Sequence, residues 1–359
     1  MVKSCLRSRD ISSVMINLIT VKLLFTYPRF MIERCENGAW ISVVVYGIAA
    51  LLLFGVTGIL YKRCEKLSLL TQAEYIGGKL FKIITGVFVI LLFMLNIAPM
   101  VRAFPEAIKT ALLQNSPMLF ITLILSCGVI VGVYYGIEAL SRLASLFLPV
   151  AALFLLVFTV LLAPEFEINN LFPLSVRKAV TEGTTSLSVF SDILVLNFLL
   201  IYCENADIAV RAGIKAIITG IITGASVTFV YCLIYPYPAS SRFIVPLYQM
   251  SRIVTVGTYF QRLEAVFEFV WSVSIFLYTA VYLFVMCDIF RQSFNLKDYR
   301  PLAVPMLLVL MMLVFREESY VKTLRANFVS SMILFPMFYL LPLIYGGLFL
   351  AKKKKKESR

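Results

Sequence analysis

The stretch Val14-Met15-Ile16-Asn17-Leu18-Ile19-Thr20-Val21-Lys22-Leu23-Leu24-Phe25-Thr26-Tyr27-Pro28 decides how this chain is read. With its flanks it reaches the roughly 20 apolar residues that a bilayer-crossing helix needs. Yet it carries Asn17, Thr20, Lys22 and Thr26 and ends at Pro28. Proline cannot donate to a helix ladder and frees carbonyls one turn back. A charge at bilayer depth costs at least about 2.5–3.5 kcal/mol, so Lys22 requires a partner or water. Two readings stay open: a binding residue facing a central cavity, or half of an ion pair that only holds helices together.

Outward from that stretch the same pattern repeats. The chain has 359 residues, 60% of them hydrophobic and 15% charged, with a mean hydropathy of +0.91. That is too apolar for a chain with a wet surface on all sides. Windows of bilayer length give ten spans, at 11–31, 40–61, 83–104, 117–136, 143–163, 185–203, 213–235, 265–288, 301–315 and 328–350. The expectation is one polytopic membrane domain over 1–359, a first half at 11–163, a second at 185–350, and a basic cytoplasmic tail at 351–359. The basic N-terminal residues are read as the flank of a retained first span, since no small-x-small cleavage site follows them. With the N-terminus inside, 20 Lys and Arg fall in inner segments and 12 in outer ones. The positive-inside rule then predicts both termini in the cytoplasm.

The formal net charge is +13, but the basic residues sit at the ends of apolar runs, as membrane topology requires, so no nucleic-acid partner is expected. The partner expected of such a surface is the lipid bilayer. The chain has no histidine, which removes the commonest general base and metal ligand, and its seven cysteines form no CxxC. No HExxH or GxSxG occurs. Neither an enzyme nor a metal or other cofactor is expected.

Ten spans divide into five plus five, and because five is odd a second half that repeats the first must enter from the opposite side. The sixth span opens with Gly183-Thr184-Thr185-Ser186-Leu187-Ser188-Val189-Phe190-Ser191-Asp192, a hydroxyl-rich stretch ending in a carboxylate. The first helix of each half is therefore polar, and broken helices 1 and 6 are expected to frame a central pocket. The candidate ligand-binding residues are Thr20, Lys22, Leu23, Tyr27, Ser188, Ser191 and Asp192. Candidate gating or structural ion pairs involve Arg102 (with Glu106), Glu138 with Arg142, and Arg262 with Glu264. For Arg102 with Glu106 and Glu138 with Arg142, four apart, the spacing also suits ordinary helix pairs. Glu264 and Glu268 share one helix face, and an outer arginine is the expected partner for them.

Several stretches, in order, resemble the spore-germination receptor B-subunit family, the endospore germination permeases of the amino acid–polyamine–organocation superfamily. They are Leu24-Phe25-Thr26-Tyr27-Pro28-Arg29 with Gly38-Ala39-Trp40-Ile41, and Val101-Arg102-Ala103-Phe104-Pro105-Glu106 with Asn115-Ser116-Pro117. Next come Tyr135-Gly136-Ile137-Glu138-Ala139-Leu140-Ser141-Arg142 and Asn170-Leu171-Phe172-Pro173-Leu174. The last is Arg262-Leu263-Glu264 with Trp271. The resemblance implies an all-α, LeuT-like 5+5 inverted repeat and a nutrient receptor in the spore inner membrane. It also implies an A subunit and a C-subunit lipoprotein as partners and a small germinant, such as an amino acid, as ligand. An active amino-acid or polyamine permease is the alternative. Members of the superfamily often break helix 1 at glycine, whereas Thr20-Val21-Lys22-Leu23 has none.

Overall fold

The computed structural model describes residues 6–25, 27–64, 67–243, 245–254, 263–316 and 320–357. Among them the chain is helical throughout, its one β feature an isolated bridge between Leu6 and Cys203. The helices are α1 (Ser8–Phe25), α2 (Tyr27–Cys35), α3 (Ala39–Arg63), α4 (Leu69–Ala111), α5 (Met118–Leu161), α6 (Val176–Thr181), α7 (Val195–Leu199), α8 (Ala206–Ile234), α9 (Pro246–Ile253), α10 (Leu263–Phe294), α11 (Ala303–Val314) and α12 (Tyr320–Glu357). A 3₁₀ segment, Gly183–Leu194, lies between α6 and α7.

Seven helices among the described residues are long and apolar enough to cross a membrane: Tyr27–Arg63, Leu69–Lys109, Met118–Leu161, Val176–Tyr202, Ala206–Ile234, Ala265–Phe294 and Phe335–Lys356. The protein is thus a multi-pass membrane protein. Its large exposed side chains match that reading: Leu52, Leu80, Leu146, Leu153 and Met312 all stand at the surface. Such an apolar exterior is stable against lipid and not against water. α1 misses the set of seven because Arg9, Asp10 and Lys22 all fall within its 18 residues.

α5 has 44 residues, about 66 Å at the helical rise, or twice a bilayer core. Gly136, at φ 83° and ψ 178°, interrupts it. Before the glycine, Gly128 lies against Phe276 and Gly132 against Ala280, so this limb descends alongside α10. After it, Ser145 bonds Asp10 near the start of α1, and Phe154 reaches Phe267 near the start of α10. The chain therefore doubles back at Gly136, and α5 is two antiparallel limbs.

α1 is the central strut, packed against α8, α5 and α10. Gly220 and Gly224 admit it, because a Cβ on either would meet Ile19 or Leu23 side chains at 2.6 and 2.7 Å. α1 is α-helix from Ser8 to Phe25, continuous through Thr20–Leu23. Without glycine or proline there, nothing removes a ladder hydrogen bond. A new helix starts at Tyr27 with Pro28 in its first turn, where proline is tolerated; Thr26 lies outside the described residues. The sixth span is irregular as expected: twelve residues of 3₁₀ helix, five of α, then three more of 3₁₀. Runs of 3₁₀ longer than three or four residues are uncommon and mark strain or a hinge.

The apolar stretch at 236–254 is not a free loop. α9 seats Leu247 and Met250 in the core against α10, α1 and α8.

Candidate functional site

The two polar segments singled out in the sequence meet in the middle of the bundle. Asp192, fully buried at the end of the 3₁₀ segment, accepts on Oδ1 from three donors on three other helices. Lys22 Nζ of α1 lies at 2.7 Å, Asn96 Nδ2 of α4 at 2.9 Å, and the Tyr282 hydroxyl of α10 completes the set. Lys22 also donates to Asn96 Oδ1 at 3.0 Å. Asn96 thus accepts from the cation, donates to the anion and donates to Tyr282 Oη at 3.1 Å. Asp192 Oδ2 is buried with no hydrogen-bond partner among the described residues.

Local structure explains why these atoms converge. Lys22 stands in the last turn of α1, is 8% exposed and spends its ammonium on Asp192 and Asn96. The tight 3₁₀ winding eclipses residues three apart, so Ser188 and Ser191 follow one another along one edge of the segment. Ser188 bonds the Tyr27 hydroxyl, and Ser191 Oγ donates back to Ser188 O at 2.6 Å. Leu23 is buried against Gly224.

Of the seven candidate ligand residues, Lys22 and Asp192 join directly, and Tyr27, Ser188 and Ser191 flank them along the 3₁₀ segment. Thr20 faces elsewhere. It lines a separate chamber of about 240 Å³ on the other side of α1, with Asn17, Thr223, Trp271 and Ser274. Trp271 is buried against Phe104 and walls this chamber.

The candidate gating residues are scattered. Arg102 and Glu106 pair at 2.9 Å on α4, with Arg102 almost fully buried. Arg142 and Glu138 pair on the surface, just past the Gly136 reversal. Arg262 lies outside the described residues, as does the side chain of Glu264. Glu268 is fully buried, and neither of its carboxylate oxygens has a hydrogen-bond partner, so the arginine expected beside it is not there among the described residues.

Sequence reasoning missed Asn96 and Tyr282. Asn96 had a usable signal, as the one amide in the apolar run Ile90–Met100, because polar groups at that depth need a reason to be there. Tyr282 had none; it is one of 18 tyrosines.

The arrangement is a buried salt bridge with two neutral supporters. Breaking such a pair by removing one partner costs about 3–5 kcal/mol, because the survivor is left as an uncompensated charge. It can hold charge, or exchange one charged partner for another.

A family model described as "Spore germination protein" matches residues 7–321. The chain is similar to spore germination protein YndE of Bacillus subtilis strain 168, 23% identical over 73% of this chain and 74% of that one. It is also similar to spore germination protein A2 of the same organism, 22% identical over 92% of each chain. With the family model spanning the ionic cluster and nearly all the helices around it, this chain belongs to the spore germination protein family.

Proposed function

We propose that the chain is the membrane-embedded B subunit of a nutrient germinant receptor in the spore inner membrane. In this reading it binds a small nutrient such as an amino acid and triggers germination together with an A subunit and a C-subunit lipoprotein. Counting α1 and α11 as spans, and α5 as two, gives ten membrane helices in a LeuT-like 5+5 arrangement with both termini cytoplasmic. The Gly136 reversal supports that count, and the Lys and Arg distribution supports the orientation.

The observation that carries the reading is the Lys22–Asp192 pair, at the junction of the first helix of each half. A zwitterionic amino acid offers a carboxylate to Lys22 and an ammonium to Asp192, whose Oδ2 has no partner in this closed form. Insertion would replace one ion pair by two. A ligand that does so binds the opened bundle and not the closed one, and that differential affinity is what shifts a receptor between states.

The test separates clamp from sensor. Lys22→Met alone and Asp192→Asn alone are expected to lower protein level. Lys22→Met combined with Asp192→Asn removes both charges and is expected to restore level, since replacing a buried pair by neutral groups is often nearly neutral. The proposal expects spores carrying the double variant to hold the protein and yet fail to germinate on the amino acid that triggers the parent. A normal dose–response in those spores would make the pair structural only.

An active amino-acid or polyamine permease is the second reading, favoured by the chamber beside α1 and the vestibule below it, which share Ile16 and Leu148. Uptake of labelled amino acid into proteoliposomes separates the two.

A further inference from the structure

The chamber beside α1 differs in chemistry from the ionic cluster. Its floor is Asn17, Thr20, Val21 and Leu24 of α1; its walls are α5, through residues such as Phe147 and Ala151, and α8, through Thr219 and Thr223. Among the described residues no charged side chain lines it. The Thr20, Thr223 and Ser274 hydroxyls and the Asn17 amide it contains are spent on backbone carbonyls. Thr20 Oγ1 bonds Ile16 O at 2.8 Å, Thr223 Oγ1 bonds Thr219 O at 2.8 Å, Ser274 Oγ bonds Val270 O at 3.1 Å, and Asn17 Nδ2 bonds Ser274 O at 3.1 Å. An occupant therefore gains apolar contact and little else. Engineered apolar cavities of about 150 Å³ already hold benzene, so the space is ample for a chain of several carbons.

The chamber is not sealed. α5 and α8 each pack on α1 but hardly on one another, which leaves a cleft over α1 between them. Ala152, which lines the chamber, is exposed on the lipid-facing surface.

At its lower end the chamber shares Ile16 and Leu148 with a vestibule of about 440 Å³. The vestibule has the opposite character: Ser8, Arg9, Ser12, Ser13, Ser145 and Lys215 line it. Arg9 and Lys215 are exposed, and neither forms an ion pair among the described residues. Ser13 is 4% exposed, lines the space and makes no hydrogen bond among the described residues. The nearest acid, Asp10, is held by Ser145 at 2.7 Å and does not line the space. The amide end of α1 opens here as well, and helix N-termini favour anions.

We infer that chamber and vestibule form one site for an anionic bilayer lipid, with one acyl chain in the cleft over α1 and the headgroup phosphate among Arg9, Lys215 and Ser13. Charge complementarity at one end and a lipid-open apolar slot at the other argue for this occupant together. A soluble anion has no use for the slot, and a neutral lipid has none for the two cations. The vestibule lies beside the first turns of α1, the leaflet where anionic headgroups and basic residues meet if the N-terminus is cytoplasmic. Its occupant would wedge α5 from α8 and so bear on α1, which carries Lys22.

The test uses the purified full chain in phosphatidylcholine nanodiscs doped with phosphatidylglycerol, with lipids retained on the protein counted by native mass spectrometry. Retention of phosphatidylglycerol over phosphatidylcholine is expected, falling about fivefold for each of Arg9→Gln and Lys215→Gln. Both residues are exposed, so neither change threatens folding. Ala152→Phe, which fills the slot from its exposed side, is expected to reduce retention as well. Equal retention of the two lipids, or no change in the double Arg9→Gln/Lys215→Gln variant, overturns the proposal. So does full competition by glycerol 1-phosphate alone, which would make this a headgroup site that leaves the chamber unused.

Discussion

Glu268 poses the sharpest question at the scale of single residues. Its carboxylate is buried on α10 with no hydrogen-bond partner for either oxygen among the described residues, one turn from Trp271 and the chamber. A charge there would be uncompensated at a cost of at least about 2.5–3.5 kcal/mol. Glu268→Gln keeps the shape and removes the charge, so it is expected to leave protein level and thermal stability equal or higher. A drop of several degrees in the melting temperature of the purified variant would mean that the acid serves a partner, such as Arg262, from outside the described residues. Asp192 contrasts with it, since three donors, one of them a cation, surround its Oδ1. That difference was only half legible in the sequence. A carboxylate inside an apolar run signals cost, but the sequence does not say where the compensating charge comes from. Lys22 and Asp192 are 170 positions apart, and their pairing depends on how α1 and the 3₁₀ segment cross. Glu268 and its expected arginine look just as plausible on paper, and they do not meet among the described residues.

Elements obey a rule that sequence windows catch only in part. Hydropathy marks where helix is long and apolar enough, and the expected spans 117–136 and 143–163 both fall on α5. What separates them is a single backbone conformation. Gly136 at φ 83° and ψ 178° lies in a region essentially reserved for glycine, where other residues pay about 1–3 kcal/mol. A Cβ there would also meet Tyr299 Oη at 2.9 Å. Gly136→Ala is therefore expected to destabilise the purified protein by about 1–3 kcal/mol. Gly128→Ala is expected to be neutral, because its Cβ would meet Phe276 at an ordinary 3.4 Å in regular helix. Equal melting temperatures for the two variants would refute the reversal as a point of strain. Helix 1 teaches the converse. Its polar residues lie within regular helix, because Thr20 returns its hydroxyl to Ile16 O and Lys22 finds Asp192, and α1 ends only at Phe25. Side-chain polarity marks a functional helix without unwinding it; the unwinding is taken up by the 3₁₀ segment instead, where glycine and hydroxyl residues weaken the α-helical alternative.

Across the whole molecule, two counts of membrane crossings compete, and they assign the same residues to different sides. Taken by length alone, α5 is one helix, with Ser116 before it and Glu165 after it on opposite faces of the membrane. Taken as two limbs that reverse at Gly136, both residues emerge on the same face, and Tyr135, at 75% exposure, marks the turn on the other. The doubled path is favoured by the pairing of Gly132 with Ala280 on the way in and of Phe154 with Phe267 on the way out. The ends of the bundle bear on the same choice. Lys62 meets Asp207 where α3 ends and α8 begins, and Lys352 near the end of α12 reaches the carbonyls of Tyr75 and Ile76 in the first turns of α4. These basic residues belong to segments assigned to the inner side by charge, and the packing brings each to the helix end that assignment requires. In a background with the seven native cysteines replaced, single cysteines at 116 and 165 are expected to react with a membrane-impermeant maleimide from one side of sealed vesicles. One at 135 is expected to react only from the other side. Labelling of 116 and 165 from opposite sides would make α5 a single crossing. The chain would then lose the even number of passes on which the proposed cytoplasmic placement of both termini rests, and with it the proposed 5+5 arrangement around Lys22 and Asp192.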